Sequence, residues 1–162
     1  MSRNDQKPIY EWAVAEVGHQ REAISLPIKK ERIDLYVKCS GDANPLFSDE
    51  SFAKLHGLET TAIPVNMTMR VAHHHRGKII EQNGYVEPER STPFARWQSK
   101  LFMPMKPGDT ITSTACVAEK FEKRGRKYIV WEVVAQNQHG EKVAEYRTTN
   151  CWEGIKPEDK TR

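Results

Sequence analysis

No stretch of this chain approaches the roughly 20 consecutive apolar residues that a membrane-spanning helix requires. The opening residues, Met1-Ser2-Arg3-Asn4-Asp5-Gln6-Lys7, lack the apolar centre of a secretory signal, and the expectation is a soluble, cytoplasmic protein. Cysteine is scarce. Cys39, Cys116 and Cys151 are odd in number, widely spaced and without a Cys-x-x-Cys pair, so neither a zinc site nor a disulfide framework is indicated, and they read as reduced, mostly buried thiols. No metal and no cofactor is expected. Charge of one sign is not gathered into a block: the net charge of +3 and pI near 8.7 arise from both signs mixed along the chain. That balance suits an anionic small ligand and gives no reason to expect nucleic acid.

The 162 residues suffice for one domain with its own core. Residues 1–20 read as a peripheral extension in which Ile9, Tyr10 and Trp12 pack across an edge, and residues 156–162 as a charged, frayed tail. Ala23 to Ile28 alternates apolar and polar as a short edge strand stopped near Pro27. Ile33, Tyr36 and Val37 recur at helical spacing between Lys30 and Cys39. A second helix spans Glu50 to His56, with Asp49 as its cap and Gly57 at its end. Pro64 is well placed to start a third helix that continues to about Gly77 or Gln82, with its first half largely apolar.

From Thr92 onward the pattern changes to period two, giving strands at Phe94–Phe102, Thr110–Glu122, Lys127–Ala135 and Val143–Trp152, read as a four-stranded meander. Turn formers separate them at Lys106-Pro107-Gly108-Asp109, Arg124-Gly125-Arg126 and Gln138-His139-Gly140-Glu141. An antiparallel sheet with one apolar face requires a cover, and the helix after Pro64 is the one long apolar helix available. The expected fold class is α+β, an antiparallel sheet wrapped around one long central helix.

The chain is organised around Ser40-Gly41-Asp42-Ala43-Asn44-Pro45-Leu46-Phe47-Ser48-Asp49, a run of turn formers between two helices. Asp49 reads as a helix cap. Asp42, beside Asn44 and Pro45, reads either as an Asx turn or as a catalytic acid or base. Gly-Asp-x-Asn-Pro-Leu-x-x-Asp, with Phe52, Ala53 and Gly57 downstream, resembles the matching segment of MaoC-like hydratases and dehydratases, hot-dog-fold enzymes that act on acyl thioesters. In that family the first Asp of the motif, here Asp42, and a His just after Asn-Pro-Leu form the dyad that adds water to an enoyl thioester or removes it. In this chain Phe47 stands at the histidine position. Many such enzymes carry His-Gly at the start of the central helix. Pro64-Val65-Asn66-Met67 here is more similar to a divergent branch, the N-terminal-type MaoC dehydratase domains and the noncatalytic-type subunits of heterodimeric dehydratases.

The resemblance implies a hydro-lyase that hydrates 2-enoyl-CoA or dehydrates 3-hydroxyacyl-CoA or its carrier-protein counterpart. Asp42 would be the acid/base and Asn44 would orient water or Asp42. Phe47, Val65, Asn66 and Met67 would line the substrate, with the N–H groups of the last three at the enolate oxygen. Two alternatives stay open: a noncatalytic acyl-binding subunit of a heteromeric dehydratase, and a hot-dog acyl-CoA thioesterase. An exposed sheet edge and an acyl tunnel closed by a second protomer imply a homodimer or a heterodimer with a related subunit. His73, His74 and His75 point about 100° apart if helical, which argues against chelation, and read as a solvated or interface-facing helix end. His56 reads as a surface residue at a helix end. The basic residues Arg70, Arg76, Lys78, Arg90, Arg96, Arg124 and Arg126 either face the phosphates of coenzyme A or a carrier protein, or form a solvated surface, and the sequence singles out none of them.

Overall fold

The computed structural model describes residues 7–153; the expected charged tail at 156–162 lies outside them. The frame is a five-stranded antiparallel sheet with spatial order β1-β3-β4-β5-β2. Its strands are β1 (Gln20–Pro27), β2 (Phe94–Leu101), β3 (Thr110–Lys123), β4 (Arg126–Gln136) and β5 (Lys142–Cys151). The helices are α1 (Lys30–Ser40), α2 (Glu50–Leu55), α3 (Thr68–Val71) and α4 (Arg76–Gln82), with 3₁₀ turns at Pro45–Phe47 and Val65–Met67. None of these helices is long and apolar enough to cross a membrane. Period-two patterning turns Ile111, Ala115 and Val117 of β3, Ile129, Trp131 and Val133 of β4, and Ala144 and Tyr146 of β5 into the core, where they meet Met67, Ala72, Ile79 and Ile80 of the helical cover.

The strands do not form the expected four-stranded meander. β3, β4 and β5 are consecutive hairpins, but β2 pairs with β5, and β1 takes the place beside β3. The turn at Lys106–Asp109 forms as read, with Gly108 at φ 90°. Its backbone, however, bonds to the end of β1, Gly108 N–H to Ile28 O at 2.9 Å and Ile28 N–H to Asp109 O at 2.7 Å. β2 is thereby carried to the far edge, where Phe102 N–H bonds Val143 O at 2.9 Å.

The N-terminal segment is also more central than its polar composition indicates. Tyr10 is fully buried, edge-on to Tyr85 and Trp152, and its carbonyl accepts from Trp152 Nε1 at 2.8 Å. Lys120 donates to the carbonyls of Trp12 and Ala15. This segment fills an end of the core instead of lying across its edge. Of the three thiols, Cys151 is buried, Cys116 half-buried and Cys39 exposed, since α1 turns that face outward.

The expected single long helix after Pro64 is interrupted at residues 72–75. In an unbroken helix the carbonyls of Ala72, His73 and His74 would accept from the N–H groups four residues on. Here Tyr146 Oη donates to Ala72 O, and the Arg21 guanidinium donates from Nη2 to His73 O at 2.9 Å and from Nε to His74 O at 3.2 Å. Arg21 is itself buried. It also donates from Nη1 to Glu22 O and Ser113 O, and from Nη2 to Ser113 Oγ, so its N–H groups are fully engaged. His75 sits in the left-handed region at φ 45°, a conformation that histidine tolerates better than most residues.

The break depends on partners from the sheet, which gives a ranking of costs. Tyr146→Phe keeps the ring and orphans only Ala72 O, for a loss of roughly 1–2 kcal/mol, whereas Arg21→Met orphans several buried carbonyls and costs more than that. Urea unfolding of the two variants checks this. Two losses that are equal and below about 0.5 kcal/mol would show that the break does not rest on these bonds.

Candidate active site

Three side chains and one glycine shape the loop at residues 41–49. α1 ends on Gly41 at φ 66°, where only glycine sits without strain. Asp42 Oδ1 then accepts the N–H of Asn44 at 3.0 Å, an Asx turn. Asn44 Oδ1 accepts the N–H of Leu46 at 3.0 Å, capping the 3₁₀ turn that Pro45 begins. Asp49 Oδ1 accepts the N–H of Phe52 at 3.0 Å, the N-cap of α2. The loop is tied inward at one point, Ala62 N–H to Leu46 O at 3.0 Å, which sets it against the segment that leads into Pro64.

The candidate residues fall into two groups around that tie. Asp42 and Phe47 are half-buried and Asn44 is exposed. The amide oxygen of Asn44 is committed to the cap, which leaves its Nδ2 as the group able to orient water or the Asp42 carboxylate. Beyond the tie, Val65 and Asn66 are exposed, while Met67 is buried in the core. Met67 N–H bonds Pro64 O at 2.9 Å, so of the three expected backbone donors it is already engaged. Val65 and Asn66 open the 3₁₀ turn, where N–H groups precede the first internal bond. His56 closes α2 at the surface with Nδ1 on Phe52 O at 2.8 Å and its ring stacked on Phe52. It is a helix-end residue.

The run His73–His75, expected at a solvated or interface-facing end of the central helix, departs from that reading in lying between two helical pieces. All three residues lie in the non-helical break, half-buried, with the ring of His73 4.8 Å from that of His74 and 4.4 Å from that of His75. Burial lowers the basicity of each, and the cations around them add to it. His73 faces Arg21, His75 faces His73, Arg21 and Lys78, and His74, the most desolvated, is pushed down to about 4 with His73, Arg76, His75 and Arg21 all opposing its charge. The sequence signal was three poor helix formers in a row. Among the described residues no group of three or more His, Cys, Asp or Glu is arranged to hold a metal ion.

A sheet with one apolar face covered by a helical segment, and an Asp-x-Asn-Pro-Leu loop beside the start of that segment, place the chain among hot-dog proteins. The model of the FAS1-like dehydratase domain region matches residues 15–146, and the chain belongs to that family. Solved structures share the fold at low identity. The monoamine oxidase regulatory protein of Archaeoglobus fulgidus is 17% identical at a TM-score of 0.75, covering 93% of this chain and 99% of that one. The HadBC 3R-hydroxyacyl-ACP dehydratase complex of Mycobacterium tuberculosis is 17% identical at 0.70, covering 81% and 92%. The R-hydratase PhaJ1 of Pseudomonas aeruginosa is 21% identical at 0.63, covering 90% and 86%. A search of curated proteins finds no match.

Two outcomes follow from this geometry. Asp42→Asn keeps the oxygen that closes the Asx turn and leaves stability within about 0.5 kcal/mol, whereas Asp42→Ala loses about 1 kcal/mol; equal losses in chemical denaturation would remove the turn from the account. The second concerns acid. His74 has a folded pKa of about 4 against 6.5 when unperturbed, so between these values the folded state binds fewer protons than the unfolded one. Stability therefore rises with pH across that window and falls on acidification from about 6.5 towards 4. Urea unfolding at steps across the window should show this slope flattened in His74→Gln. An unchanged slope in the variant would place the acid sensitivity elsewhere.

Proposed function

We propose that the chain is one protomer of a hydratase or dehydratase acting on acyl thioesters of coenzyme A or a carrier protein, and that a second hot-dog protomer supplies the histidine its own loop lacks. The carrying observation is Phe47. It occupies the histidine position of a loop whose other parts, the Asp42 turn, the Asn44 cap and the Asp49 cap, are all formed. On this reading the Asp42 carboxylate handles the water or leaving-hydroxyl proton, and the N–H groups of Val65 and Asn66 face the enolate oxygen.

Two further features support a second protomer. Among the described residues β2 is bonded on one side only, to β5, and Phe94 at its start and Phe102 just past its end are 52% and 50% exposed, an open edge of the kind proteins normally cover. The opposite edge is already blunted, with the Gln82 side chain on Glu22 N–H and that of Asn83 on Gln20 O. HadBC, which shares the fold, is a complex.

The test is hydration of crotonyl-, octenoyl- and branched enoyl-coenzyme A by the purified chain, followed as loss of enoyl absorbance, with acyl-coenzyme A binding measured by calorimetry. The expected result is binding without turnover. Turnover by the chain alone that disappears in Asp42→Asn, a variant that keeps the turn, would make this a self-sufficient hydro-lyase instead.

A further inference from the structure

The break between α3 and α4 opens onto a cleft of about 540 Å³, bounded by the histidine run, by Arg76 and Lys78, and by Phe94 and Asn150. None of Asp42, Asn44, Phe47, Val65, Asn66 or Met67 lines it. Three features of this cleft bear on what it could bind. His73 Nδ1 accepts the N–H of His75 at 2.8 Å, which places the proton of the neutral ring on Nε2 and makes that atom a donor. His74 Nδ1, His75 Nε2 and Asn150 Oδ1 are buried without a hydrogen-bond partner, although the other end of the Asn150 amide donates to Thr92 O at 3.0 Å. Such orphans are costly and call for a partner.

The third feature is charge. On the rim Arg76 pairs with Glu87 and Lys78 with Glu81, so those charges cancel. Directly behind His73 and His74, the Arg21 guanidinium spends its N–H groups on carbonyls and a hydroxyl, with no carboxylate among these partners. Carbonyl dipoles satisfy its N–H groups without neutralising it, and at a buried position the remaining positive charge is weakly screened.

We propose that this cleft is a binding site for the phosphate group of a small ligand. The His73 Nε2–H is its fixed donor, and His74 and His75 adopt whichever tautomer donates to it. A cation is disfavoured there by Arg21. Phosphate fits better than carboxylate because its second pKa lies near 6, so a fraction keeps a hydroxyl able to donate to Asn150 Oδ1. The Arg76 and Lys78 pairs are partly exposed and therefore weak enough to exchange glutamate for phosphate. The inference does not rest on the acyl-thioester reading. The phosphates of coenzyme A are one source of this chemistry and any other phosphoester or free phosphate is another.

Nitrogen-15 NMR of the histidine rings in the full chain tests it, because His19, His56 and His139 lie outside the cluster and serve as references among the six histidines. The expected result is a His73 ring protonated at Nε2, and saturable shifts at His73, His74 and His75 on titration with inorganic phosphate while His56 and His139 stay still. Lys78→Met, a change at a side chain 58% exposed that leaves the core intact, should weaken the response about threefold. No saturable shift, or an equal drift of all six signals, would overturn the site. Adenosine 3′,5′-bisphosphate saturating the same signals more tightly than phosphate would identify coenzyme A as the source; weaker saturation would assign another phosphate compound, and the site stands in both cases.

Discussion

The buried guanidinium of Arg21 is the interaction on which the helical cover depends. A charged side chain in a core is tolerated only when its hydrogen bonds are met, and here they are met by β3 through Ser113 and by the carbonyls of His73 and His74. Those are carbonyls that an unbroken helix would have used itself. With Tyr146 taking Ala72 O, the helix is stopped for one turn and restarted. The restart sets both Ile79 and Ile80 into the core at 0% exposure and leaves the histidine run facing the cleft between the two helical pieces. Sheet registry, helix interruption and the cleft are thus one construction.

The loop at residues 41–49 works on a different scale. Its shape comes from side chains that each bond a backbone N–H two or three residues ahead, so it would be formed with or without a substrate. That locality fixes Asp42 without help from residue 47, which is Phe.

What was legible in the sequence follows the range of the interactions. α1, the cap at Asp49, the Gly41 turn and the strand segments formed where pattern and propensity put them; the cap at Asn44, read only as a turn former and a residue that orients water or Asp42, was not foreseen. The break in the central helix was hidden because it is made by Arg21 from 52 and 53 residues away and by Tyr146 from 74 residues away; helical periodicity carries no trace of a partner that competes for a carbonyl. The placement of β2 was hidden for the same reason, since the Lys106–Asp109 turn reads alike whether its backbone bonds to β2 or to Ile28. Tyr10 was misplaced because the polar residues around it masked one ring that the core takes in whole. In the candidate site the turn role of Asp42 was visible from composition, whereas the burial of Met67 depended on how the helix after Pro64 was cut.

The central claim is that this loop is chemically incomplete at one position. The most direct measurement is enoyl-coenzyme A hydration by Phe47→His, since a positioned acid or base contributes on the order of 10²–10⁴ in rate. The account predicts that turnover absent from the parent chain appears in this variant and is lost again when Asp42→Asn is added. A folded Phe47→His protein that binds acyl-coenzyme A like the parent and still shows no hydration would contradict it.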